Sequence, residues 1–179
     1  MSRQEASPPP MLKSITITYI DSTAGPKLPE ALAGATVGAR AAGIAQPSLI
    51  SRGAGNANES YRFKDGQEVW PPEFHFPTKV IIHHTVTSND TDPVVSMRAI
   101  YYYHAVTLGW GDIGYNYLVD RFGNVYQGRY GGKDVVGGHA RQYNPGSVGI
   151  GALGNYQSAD VPSQLLNGLI ALTTWESYT

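Results

Sequence analysis

Residues 79–87, KVIIHHTVT, constrain the fold more than any other stretch of the chain. Val80, Ile81 and Ile82 are consecutive β-branched residues, which suit the pleated surface of a sheet. The segment 79–84 reads as the most strand-like in the sequence, and it ends in two adjacent histidines. Successive strand side chains leave on opposite faces, so His83 and His84 cannot both serve one site.

The flanking sequence places this strand in a mixed fold. Asp92 and Pro93 form a helix start, an acidic N-cap followed by proline at the first helical position, and Gly109 is placed to end the helix. Met97, Tyr101, His104 and Leu108 share one face of it at spacings of four, three and four. Residues 114–120 and 123–129 predict a β-hairpin through the turn at 121–124, and 145–155 a strand whose glycines let another group approach closely. Asp160 and Pro162 open a second helix with Leu165, Leu166, Leu169, Ile170 and Trp175 on its apolar side. Residues 53–77, rich in Gly, Asn and Pro, read as irregular wrapping.

Residues 1–46 read as a peripheral segment or linker, with a strand at 14–20 and an alanine-rich stretch at 29–42 weakened by Gly34 and Gly38; the domain proper is expected over 47–179. The predicted class is α/β, a mixed central β-sheet flanked by helices. The sheet should contain 79–84, 115–120, 124–128 and 146–153, with 79–84 away from any exposed edge.

Composition narrows the partners. A net charge of -1 with 15% charged residues gives no reason to expect nucleic acid or an anionic membrane, and no apolar run is long enough to span a bilayer. With no cysteine, disulfides and thiolate metal ligands are excluded within these residues. The N-terminus lacks the apolar core of a signal peptide. Twelve tyrosines, three tryptophans and 21 glycines suit a groove for sugars or peptides.

Four of the five histidines fall at the ends of predicted elements, where an α/β sheet forms its ligand crevice. Each also has a structural reading: His104 as a packed helix residue, His139 as a loop residue, and His75, between Phe74 and Phe76, as a loop residue outright. A catalytic zinc needs three protein ligands and an open position, and neither an HExxH helix nor a cysteine pair is present. The residues alone point to a polar, histidine-lined groove, with a metal left open.

The ordered blocks VIIHHT (80–85), YYYHA (101–105), GWGDIGYNYLVDRFGNVYQGR (109–129), VVGGHA (135–140) and YNPGSVGIGALGNY (143–156) resemble the peptidoglycan recognition protein and type 2 N-acetylmuramoyl-L-alanine amidase family. PSLISR (47–52) resembles the entry segment of its bacterial members, although Gly55 stands near where they usually carry tryptophan. The resemblance implies a Zn2+-dependent amidase that cleaves the bond between N-acetylmuramic acid and the L-alanine of the stem peptide. It makes His83 a zinc ligand with His84 packed on the opposite face, Tyr115 the catalytic tyrosine, and His104, Trp110, His139 and Asn144 groove residues for muropeptide. His83, Tyr115 and His139 should then converge on one concave surface.

The family's other two zinc ligands come after the second helix, and no histidine follows His139 here. The chain is therefore expected to be truncated and inactive as given; the alternative is a non-catalytic peptidoglycan-binding module. A third reading has His83, His104 and His139 hold a metal among themselves. A monomer, in an extracellular or cell-wall location, is expected from the family.

Overall fold

The computed structural model describes residues 44–178; the segments expected at 14–20 and 29–42 lie outside them. Five strands form the main sheet: β1 (Leu49–Ile50), β4 (Lys79–His84), β5 (Tyr117–Val119), β6 (Val125–Gln127) and β7 (Ser147–Ala152), in the order β1-β6-β5-β7-β4. Only the β5–β6 pair is antiparallel, and it is the hairpin expected from the sequence. Asp120 fixes its turn by accepting the N–H groups of Phe122 and Asn124. The sheet is mixed, as expected.

Strand β4 corrects one expectation. It pairs with β7 alone and forms an edge of the sheet, half-buried beyond its exposed first residue. Its apolar run reflects one covered face rather than a central position: Val80 and Ile82 pack on the core beneath helix α2 (Ser163–Tyr178), while Ile81 and His83 take the other face.

The same alternation splits the core in two. Tyr117, Val119, Val125, Val148, Ile150 and Ala152 point to Leu165, Leu169, Leu172 and Trp175 of α2. Leu118 and Tyr126 point the other way, to Met97, Ile100, Tyr101 and Ala105. Gly149 and Gly151 alternate with the inward residues of β7, so that strand is bare on the side opposite α2.

Helix α1 (Pro93–Tyr102) starts where expected, with the Asp92 carboxylate accepting the N–H groups of Val94 and Val95. It does not continue as α-helix to Gly109. Residues Tyr103–Thr107 form a π-helical turn, which accommodates an extra residue and rotates the chain beyond it. Ala105 is consequently buried and Leu108 exposed, against the expected packing of Leu108. Gly109, at φ 71°, does end the helix.

The segment 53–77 is more ordered than expected. A 3-10 turn at Glu59–Arg62 leads into a two-residue hairpin, β2 (Phe63–Lys64) with β3 (Gln67–Glu68). Its turn is Asp65-Gly66, both left-handed at φ 52° and 76°, as a tight hairpin requires. Gly55 is buried against Met97, whose methyl group lies where a Cβ at 55 would have to go. Among the described residues, no helix is long and apolar enough to cross a membrane.

Candidate functional site

The bare face of β7 is the floor of the site. A Cβ on Gly149 would collide with the His139 ring, and one on Gly151 would lie 3.1 Å from the Tyr115 ring. Both aromatic rings thus reach the backbone of the strand because no side chain stands there. Register puts His83 beside Gly151 on β4, on the same face.

Over this floor five of the six candidate residues form a chain of ring contacts. His83 lies 5.3 Å from His139 and 5.7 Å from Tyr115 between ring centroids. Tyr115 is 5.7 Å from His104, and His104 is 4.9 Å from Trp110. His84 leaves on the opposite face, where its Nδ1 accepts the Tyr156 N–H. Asn144 stands apart from the rings: its Oδ1 accepts the Ala140 N–H at 2.6 Å and closes the loop that follows His139.

Burial shapes the protonation of the cluster. It holds His104 below the ordinary imidazole value, and His83 too, with the neighbouring His84 adding to the effect. His139 is pushed down to about 4, first by burial and then by His83. Tyr115 is raised by burial alone. At neutral pH the site therefore presents uncharged imidazoles and an intact phenol, which can donate a hydrogen bond.

Several supporting residues carry no motif of their own. Asn116 bridges floor and wall: its Oδ1 accepts the Gly149 N–H at 2.8 Å and its Nδ2 donates to the Val135 carbonyl. Asp112, fully buried between Trp110 and Tyr115, accepts from Arg52 (3.0 Å), Arg129 (2.7 Å) and the N–H groups of Ile113 and Tyr130. Arg129, also fully buried, lies 3.8 Å from the Trp70 ring centroid, and Trp70 packs against Gly138 beside His139. One carboxylate thus links both rims of the site. Sequence could have flagged Asn116 through the alternation leading into β5, but nothing local pairs Asp112 with arginines 60 and 17 residues away.

Residues 73–177, more than half of the chain, match the family described as N-acetylmuramoyl-L-alanine amidase. The chain belongs to this family. Peptidoglycan-recognition protein SC2 of Drosophila simulans is 43% identical over 86 residues, 46% of each chain. Peptidoglycan recognition protein 1 of Bos taurus is 33% identical over 129 residues, 70% of this chain and 63% of that one. The chain thus matches about half the length of the first of these relatives. Among solved structures, an endolysin N-acetylmuramoyl-L-alanine amidase from Clostridium intestinale superposes with a TM-score of 0.56 at 28% identity, covering 74% of this chain and 75% of that one.

Zinc is commonly used in this family, and the donor set bears on whether these residues could hold it. His83 Nε2 faces His139 Nδ1 at 3.1 Å. His104 cannot join them through Nδ1, which accepts the Gly114 N–H at 3.1 Å. Among the described residues no three His, Asp or Glu side chains are grouped to hold a metal ion. They do not make a three-ligand zinc centre, and the joint site of His83, His104 and His139 is not formed.

Proposed function

We propose that residues 47–179 carry the muropeptide-binding groove of an N-acetylmuramoyl-L-alanine amidase. The observation that supports this reading best is the line of His139, His83, Tyr115, His104 and Trp110 over the glycine floor of β7. Trp110, exposed and stacked near His104, offers a flat amphipathic face for a sugar ring. Neutral imidazoles and the Tyr115 hydroxyl offer hydrogen bonds to the lactyl and peptide groups. Tyr115, kept protonated, is also the group suited to donate to a developing oxyanion at the muramoyl carbonyl. Asn144 supports the wall by holding its loop.

Binding is the activity assigned to these residues on their own. Cleavage belongs to the domain only with two zinc ligands besides His83, so the non-catalytic reading is favoured for the described residues by the lack of a three-ligand group among them. Peptidoglycan as the partner implies an extracellular or cell-wall setting.

Calorimetric titration of the chain with a muramyl tripeptide in EDTA tests the groove. We expect saturable binding, and Trp110→Ala should weaken it by at least about 1 kcal/mol, roughly fivefold. A well-folded chain that binds no muropeptide would remove both the amidase and the binding reading.

A further inference from the structure

A second pocket lies outside the groove, on the outer face of helix α1. Val95, Arg98, Ala99 and Tyr102 recur there at the spacing of one helical face, and all four are exposed. Opposite them runs the segment 56–61, whose Tyr61 ring meets that of Tyr102 edge to face at 5.6 Å between centroids. The two sides enclose about 250 Å³, bordered by Asn56, Asn58, Tyr61, Arg98 and Tyr102. None of the five rings of the groove lines this space.

The lining selects a class of ligand. Arg98 has no hydrogen-bond or ion-pair partner among the described residues, so its guanidinium is free to take one. No Asp or Glu lines the pocket, and Glu59, next in sequence to Asn58, is held by Arg52 and Arg62. A ligand ammonium would find no counter-ion there, whereas a carboxylate fits the planar fork of arginine. Asn58 commits its Oδ1 to the N–H and hydroxyl of Ser60, at 3.2 and 2.7 Å, which leaves its Nδ2 to donate. The ligand is thus an acceptor-rich anion without an amino group. Tyr102, half-exposed, adds a flat amphipathic surface that suits the face of a sugar ring. Pockets for drug-sized ligands run to about 300–1,000 Å³, so this smaller one suits a single ring.

We propose that this pocket binds a monosaccharide carrying a carboxylate, with Arg98 on the acid and Tyr102 against the ring. N-acetylmuramic acid is such a sugar, and its acid is free wherever no stem peptide is attached. Hydrolysis of the muramoyl–alanine amide leaves that carboxylate on the sugar. On the amidase reading, which this step alone assumes, the pocket holds glycan whose peptide has already been removed, while the groove takes the intact muropeptide.

The test is titration of the full 179-residue chain, followed in proton–nitrogen spectra, with N-acetylmuramic acid and with N-acetylglucosamine, which has the same ring and acetamide without the lactyl acid. The side-chain signals of Arg98, Asn56 and Asn58 should shift with the acid, and its affinity should exceed that of N-acetylglucosamine at least fivefold. Arg98→Gln should abolish that difference, and Tyr102→Ala should weaken the acid at least fivefold, each variant being checked for folding by circular dichroism. The comparison of the two sugars on the unmutated chain decides the matter even if a variant fails to fold. Equal affinity for the two sugars, shifts confined to Trp110 and the groove histidines, or contacts from residues 1–43 that fill the space beside Tyr102 would overturn the pocket. A chain that binds no muramyl tripeptide in EDTA yet keeps the Arg98 shifts would instead sink the groove and leave this pocket standing.

Discussion

His104 joins the helix end to the loop that carries Trp110 and Tyr115, because its Nδ1 accepts the Gly114 N–H while its ring packs between those two side chains. Protonating Nδ1 would set one N–H against another. Burial has already lowered the folded pKa of this ring, so the unfolded chain takes up the proton more readily. The stabilising contribution is therefore full above the ordinary imidazole value of about 6.5 and is lost as pH falls below it. Metal-free protein should show a lower urea midpoint at pH 5 than at pH 7, and His104→Gln should narrow that difference; an unchanged difference would remove His104 as its cause. At this scale the sequence was readable where parity decides. Strand alternation alone separated His83 from His84, and the two do leave on opposite faces. Loop closure was not readable, since the partners of Asn144 and His139 depend on where a folded loop brings Ala140 and Ser147.

Strand β7 shows how an element can serve by what it omits. Val148, Ile150 and Ala152 fill the core under α2, and the glycines between them leave the opposite face for two rings. Gly149→Ala should displace His139 from the strand and destabilise the fold by about 1–3 kcal/mol, as overpacking does. Loss of the His139–His83 contact in the spectra, with a lower urea midpoint, is the outcome to look for; a His139 signal unmoved from wild type would contradict the packing. The expectation that small residues here admit a close approach was met by side chains of the chain itself. Other elements escaped the sequence for local reasons. Asp65-Gly66 is a strong hairpin signal that the surrounding Gly, Asn and Pro obscured. The edge position of β4 could not follow from its composition, since one covered face already accounts for Val80 and Ile82.

Across the whole molecule, Asp112 ties the N-terminal part of the described chain to the site. Arg52 lies just after β1 and Arg129 just after β6, and both guanidinium groups converge on this one buried carboxylate. Removing its charge would break the ion pair of the fully buried Arg129, while Arg52 would keep its pair with Glu59. Asp112→Asn should therefore cost about 3–5 kcal/mol, measurable by urea unfolding, and should loosen Trp110 and His139 together. A loss below about 1 kcal/mol would mean that the arginines find other acceptors. The blocks that supply the ring cluster were legible because each is contiguous. This network was not, because its members are separated by most of the domain.

The π-helical turn at Tyr103–Thr107 bears on how this chain should be aligned with others. One residue more or less in a helix turns everything beyond it by about 100°. A relative whose helix is regular throughout would carry its counterparts of Trp110, Asp112 and Tyr115 one position nearer to the counterpart of Met97. Ungapped comparison across that turn would pair Trp110 with the wrong neighbour, so a single-residue gap between 103 and 107 is where equivalence of the two rims should be restored.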